Sequence, residues 1–187
     1  MIFDRLKEAT ADIHQQIEER VPVFREDFNL AEYVRLLERF YGYWAPLERK
    51  LLDVPGLKNP ELDLPSRMKS ALLVEDLRIL GRDPAAIPRC DRLPALETFP
   101  RALGCLYVLE GSTLGARFIS KRLEEHLNLR EGSGASFFNA YGESSGRRWL
   151  EFKSFVSAHV EPQHTEEIVA AARQTFQCFY DWLGAIL

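Results

Sequence analysis

Histidines, cysteines and clustered carboxylates carry most protein chemistry, and this chain uses them sparingly. Its four histidines are His14, His126, His159 and His164. His126 closes the charged run Lys121 to His126, and His159 and His164 flank Pro162, so these three read as surface residues. His14 differs: helical spacing sets it one turn from Thr10 and beside the stripe Leu6, Thr10, Ile13 and Ile17. A lone histidine at such a boundary is ordinarily hydrogen-bonded packing, although a neutral imidazole is also a good metal ligand. Gly142-Glu143-Ser144-Ser145-Gly146 spells the GxSxG nucleophile elbow, which needs a strand before it and a helix after it, and no strand is readable. Glu161-Pro162-Gln163-His164 spells the ExxH of di-iron bundles, which need two such pairs and two further glutamates. Only one copy exists, with a proline inside it. Both are read as chance matches.

The remaining oddity is a pair of glycines, Gly111 and Gly115, four apart on one helical face. Each costs up to about 1 kcal/mol relative to alanine in a helix interior, so two within five residues ask for a reason. One reason is close packing against another helix, the simpler reading of the glycines alone. The other is approach of the backbone to a flat ligand.

The elements that must carry these residues are helices. Apolar residues recur at helical spacing almost throughout, and period-two alternation is nearly absent, which predicts an all-α fold of seven or eight helices in one domain, 1–187. The first helix runs from an N-cap at Asp4 to about Arg20. The second starts at Asn29, with Glu32 placed for a capping box, and reaches towards Leu52 with a kink or restart at Pro46. A third opens at Pro65 or Ser66 and stops at Gly81. A long segment from Pro100 to about Leu127 carries Gly104, Gly111 and Gly115. A helix from Arg147 to about Val160 follows, and a last one, capped by Thr165, extends to Leu187 through Phe176, Phe179 and Trp182.

Composition bounds the function. The 187 residues are 46% hydrophobic and carry a formal net charge of −4, without the basic excess that nucleic-acid binding needs. Cys90, Cys105 and Cys178 are odd in number and far apart, so neither a disulfide framework nor a structural zinc site is signalled, and a reducing cytoplasmic setting is expected. No run approaches the ~18 apolar residues of a membrane span. Charges occupy the N-terminal positions where a signal peptide is apolar, and no hydrophobic tail follows the last helix, so neither export nor a membrane anchor is expected.

Taken together, the segments say more. Leu6 to Glu18 (LKEATADIHQQIE) and Tyr107 to Ala116 (YVLEGSTLGA) resemble the two signatures of haem oxygenases, particularly the bacterial members that supply biliverdin to bacteriophytochromes. Phe137 to Gly142 and Arg147-Arg148-Trp149 are similar to the bacterial members too, so the resemblance covers nearly the whole chain in order. It implies a haem-oxygenase-like bundle in which His14 is the proximal iron ligand. The helix around Gly111, Ser112 and Gly115 would cross the oxygen-binding face, where the absence of side chains lets bound oxygen turn onto the porphyrin edge. One histidine ligand leaves a coordination position free for O2. Lys7, two helical turns or roughly 10 Å before His14, is placed to pair a haem propionate. The resemblance puts Thr10 in the first signature and Tyr107 near the propionates, with Arg122 and Arg148 as further candidate partners and Phe176 and Phe179 as pocket walls.

The activity implied is cleavage of haem, both cofactor and substrate, to biliverdin, CO and ferrous iron. It uses O2 and electrons from an external donor, a reductase or ferredoxin, and the isomer expected from Lys7 is IXα, the one a bacteriophytochrome receives. Ser112 stands where animal members carry aspartate, and Ala116 where other branches have a second glycine, so proton delivery is assigned to ordered water. The competing reading is a haem carrier or sensor using the same pocket without turnover. A helical bundle for another small molecule would leave His14 and the glycine pair unexplained.

Overall fold

Each long apolar-periodic segment folds as a helix, and its ends follow from local chemistry. In the computed structural model, which describes residues 1–184, six α-helices are joined by short 3-10 turns, with no strand among the described residues. They are α1 (Ile2–Arg20), α2 (Leu30–Leu52), α3 (Ser70–Ile79), α4 (Phe99–Leu127), α5 (Ser145–His159) and α6 (Thr165–Leu183). The expected seven or eight helices are thus six, because the shorter pieces are 3-10 turns. The expected extension of the last helix to Leu187 falls beyond the described residues.

α1 buries the predicted stripe of Leu6, Thr10, Ile13 and Ile17. It starts at Ile2, ahead of Asp4, whose carboxylate instead pairs with the N-terminal amine at 3.2 Å within the first turn, where negative charge suits the helix dipole. α2 begins with the expected capping box between Asn29 and Glu32. It then passes Pro46 without a break. Proline removes the N–H that would have bonded the Gly42 carbonyl, and that carbonyl is taken by the Cys90 N–H at 2.9 Å. α3 starts later than expected because Leu64–Arg67 forms a 3-10 turn first, and the Glu48 carboxylate caps α3 by accepting from the Lys69 and Ser70 N–H groups at 2.7 and 2.9 Å. Thr165 is the first residue of α6 and makes no side-chain cap.

α4 is 29 residues long and is the central element. It packs on α6 and α5, and α1 packs on α6, but α1 and α4 hardly touch each other. Gly104 explains one half of this arrangement: a Cβ there would clash with the Ile168 carbonyl and lie 2.9 Å from the Ala171 Cβ, so the glycine lets α4 and α6 meet closely. Beyond Gly104 the two helices leave a cleft between α4 and α1. Its floor is an aromatic cluster from α2, α6 and the 137–139 turn, with the rings of Phe40 and Trp44, and of Trp44 and Phe179, each 5.0 Å apart.

Candidate active site

The cleft consists of two connected chambers, of about 760 and 460 Å³. His14, Glu18, Val108, Ser112 and Phe176 line both, so the imidazole of α1 and the serine of α4 stand at the waist. The larger chamber is bordered by Lys7, Thr10, Tyr107, Gly111, Trp149 and Lys153, and the smaller by Phe40, Trp44, Phe137, Phe138, Phe179 and Gly115. The larger chamber thus carries two lysines and a phenol, with Asp4 and Glu18 also on its wall, and the smaller is mainly aromatic and aliphatic, with Lys69 as its one lysine.

His14 is half exposed to the cleft, with Nδ1 3.7 Å from the Glu18 carboxylate one turn on and its ring edge-on to Phe176, centroids 5.6 Å apart. A carboxylate beside one ring nitrogen favours the tautomer that leaves the other free as a metal ligand. Thr10 donates to the Leu6 carbonyl at 2.8 Å. Burial pushes the Tyr107 phenol above its ordinary pKa, with Thr10 opposing, so the hydroxyl stays protonated as a donor. Lys7 and Lys153 have no carboxylate within ion-pair distance among the described residues, and the Lys153 ammonium lies 5.9 Å over the Phe3 ring.

Across from His14, the glycines do not serve helix packing, contrary to the simpler reading of them. A Cβ on Gly115 would meet nothing within 4 Å, and one on Gly111 would meet only the Trp149 ring, at 3.9 Å. The Ser112 hydroxyl spends its hydrogen on the Leu109 carbonyl at 2.8 Å, leaving its lone pairs to the cleft.

What holds this bare surface towards the cleft is a buried polar network behind it. The Glu110 carboxylate, 1% exposed, accepts from Arg67, from Lys69 at 2.8 Å and from the Tyr141 hydroxyl at 2.9 Å. Burial lowers the Lys69 pKa, and Glu110 opposes that. Burial, then the Glu110 charge, pushes the Tyr141 phenol up. With Glu110 fixed on one side of α4, the rotation of the helix about its axis is fixed, and the residues after it face the cleft. No local pattern marks this cluster, because its members come from separate segments.

Two expected site residues are not brought to the cleft. The Arg122 guanidinium donates to the carbonyls of Val23 and Arg25, at 3.3 and 2.9 Å, anchoring the turn after α1. That of Arg148 binds Glu151 at 3.3 Å and Ser66, and it lies over the Tyr141 ring. Neither lines a chamber, and each has its hydrogen bonds elsewhere. Conversely Lys153, Trp149 and Phe3 line the larger chamber unanticipated. The i,i+4 spacing of Trp149 and Lys153 on α5 is the one local signal that points to them. Thr10 lines the larger chamber, Phe179 the smaller and Phe176 both. Among the described residues no group of three or more His, Cys, Asp or Glu is placed to hold a bare metal ion.

A flat, amphipathic ligand with acidic groups at one end and a metal at its centre suits these walls. The family model described as "Heme oxygenase" matches residues 2–185. A curated relative, haem oxygenase PigA of Pseudomonas aeruginosa, is 32% identical over 188 aligned positions, covering 96% of this chain and 89% of the relative. The crystal structure of the NO- and CO-bound haem oxygenase from Neisseria meningitidis superposes with a TM-score of 0.83 at 22% identity, over 100% of this chain and 92% of that one. The haem oxygenase of Leptospira interrogans gives 0.75 at 22% identity, over 100% and 99%. The chain belongs to the haem oxygenase family and is a haem-degrading oxidoreductase.

Proposed function

We propose that this chain cleaves haem to biliverdin IXα, CO and ferrous iron, using O2 and electrons from a separate reductase or ferredoxin. The observation that carries the reading is the pair Gly111 and Gly115, unpacked and facing open space across the cleft from His14. Bound haem supplies an iron centre with one position left for O2. The protein supplies the rest. His14 would hold the iron, its imidazole oriented by Glu18 and braced by the Phe176 ring. Gly111 and Gly115 leave the space beside the reacting edge that any side chain would fill, and Ser112 offers an acceptor to ordered water rather than a proton.

The asymmetry of the cleft orients the haem in its plane. Two propionates belong with Lys7, Lys153 and the Tyr107 hydroxyl, as charge-assisted hydrogen bonds, while the methyl and vinyl edge belongs among Phe40, Trp44, Phe137 and Phe179. Arg122 and Arg148, engaged elsewhere, take no part. This placement supports the IXα isomer and, with it, a bacteriophytochrome as recipient of the product.

The test is a spectrum of the purified protein with hemin and a reductant under air. Loss of the Soret band with growth of biliverdin absorption is the expected result. A stable complex without turnover would make the protein a haem carrier or sensor instead, and failure to bind hemin would remove both readings.

A further inference from the structure

Trp44 brings a polar atom as well as a ring to the aromatic chamber. Trp44 is 2% exposed, and its indole Nε1 is the one buried side-chain nitrogen or oxygen without a hydrogen-bond partner among the described residues. Buried polar groups are paired in nearly all native structures, so an orphan points to a missing partner. The other buried polar side chains show the rule being kept, with Arg67, Lys69, Glu48, Glu110, Asp76, Tyr33 and Tyr43 all bonded. Trp44 also lines the smaller, aromatic chamber, packed among Phe40, Phe137 and Phe179.

The partner must be an acceptor, because an indole only donates. The hydroxyls of Ser112 and Thr113 in the same chamber have committed their hydrogens to the carbonyls of Leu109 and Glu110, at 2.8 and 2.7 Å, and Lys69 is held by two of its three N–H groups to the Arg67 carbonyl and Glu110. Trp44 Nε1 is itself covered in this structure, so an oxygen entering among the rings reaches it only by parting its neighbours, and the indole is then a donor with no bond to give up.

Intact haem brings no such oxygen to this end, since its edge away from the propionates carries methyl and vinyl groups. Ring opening changes that. Both bonds of one meso carbon to its flanking pyrroles are broken, the carbon leaves as CO, and each pyrrole carbon ends bonded to an oxygen from O2, with the electrons coming from the external donor. In the IXα product these two lactam carbonyls lie at the edge opposite the propionate-bearing pyrroles. We propose that Trp44 Nε1–H is a product-recognition donor, unpaired beside intact haem and paired to a lactam carbonyl of biliverdin. Trp44 would thus favour the opened ring over the closed one and slow product release. The inference rests on the reading of the cleft as a haem site cleaving at that edge.

The test compares hemin and biliverdin IXα in the same protein. Trp44→Phe keeps a ring in the cluster and removes the N–H. Absorbance titrations should show biliverdin binding weakened about three- to tenfold, the range of a single hydrogen bond, and hemin binding changed less than twofold. Unchanged biliverdin affinity overturns the proposal. So does equal weakening of both ligands, which would make Trp44 a packing residue or the holder of a permanent water. If Trp44→Phe does not fold, protein labelled with ¹⁵N-tryptophan answers the question unaltered at this position, its Trp44 indole resonance assigned by elimination with Trp149→Phe and Trp182→Phe. That proton should move downfield with biliverdin and not with zinc protoporphyrin; movement with both, or with neither, overturns the proposal. Absence of hemin binding by the unaltered protein would instead remove the haem reading itself.

Discussion

Gly104, Gly111 and Gly115 lie on one stripe of α4, since seven and eleven residues are close to whole numbers of helical turns. At Gly104 the stripe meets α6 so closely that a single methyl group would strike the Ile168 carbonyl. At Gly115 the same stripe meets nothing within 4 Å of where a methyl group would sit. One residue type on one helix face thus serves opposite ends. The first glycine makes a contact possible, and the other two keep a space empty. The helix is joined to α6 at one end and stands clear of α1 at the other, and the interval is the cleft. Glycine pairs in a helix are therefore uninformative until one knows what a Cβ would touch.

The open end of this comparison breaks most completely if its far wall is removed. His14→Ala deletes the nitrogen proposed to hold the iron and should abolish biliverdin formation, with imidazole added to the solution restoring part of it. Unchanged turnover together with an unchanged Soret maximum would take His14 out of the site. Gly115→Leu comes next in size. Its side chain enters a space in which nothing opposes it, so the fold should survive while most ring opening is lost. Biliverdin produced at the parental rate by this variant would mean that the reacting edge lies elsewhere.

The same two positions exchanged for alanine sharpen the contrast as a stability measurement. Gly104→Ala should destabilise the chain by roughly 1–3 kcal/mol, because backbone and the Ala171 methyl group must move apart. Gly115→Ala should stabilise the haem-free protein by roughly 0.5–1 kcal/mol, since helix propensity improves with no clash. Melting temperatures shifting in opposite directions confirm the two roles; a loss at Gly115 comparable to that at Gly104 would show that it is a packing glycine after all.

Much of this was legible beforehand, and the reasons differ by residue. The α1 stripe and the α2 capping box are local, so spacing alone placed Leu6, Ile13, Asn29 and Glu32 correctly. His14 and the glycine pair were picked out by type and spacing. Their facing each other came from the resemblance, since nothing within one segment says what lies across from it. What could not be read was every effect that depends on a distant partner. Pro46 does not break α2 because Cys90, far along the chain, takes the freed Gly42 carbonyl. Arg122 and Arg148 looked as available as Lys7, yet backbone carbonyls and Glu151 engage them. Glu110 passed as an ordinary acidic residue, although Arg67, Lys69 and Tyr141 converge on it from three other segments.

The smallest effect concerns the polar end of the cleft, where orientation rather than reaction is at stake. Lys7 on α1 and Lys153 on α5 border the larger chamber without carboxylate partners among the described residues, so each has its charge to offer a propionate. Both are near solvent, which limits the strength of either pair, and neither alone should decide whether haem binds. Together they fix which way the ring faces. Lys7→Ala and Lys153→Ala should each weaken hemin binding by about threefold or less and add a minor second isomer to the product. The double variant should produce a clear mixture, read by chromatography against biliverdin standards. Arg122→Ala is the control: its guanidinium holds the turn at Val23 and Arg25, so it should loosen that turn and leave the isomer unchanged. An isomer shift in Arg122→Ala with none in the lysine variants would mean that Arg122 leaves its carbonyls for a propionate once haem is bound, and the polar end of the cleft would have to be redrawn around it.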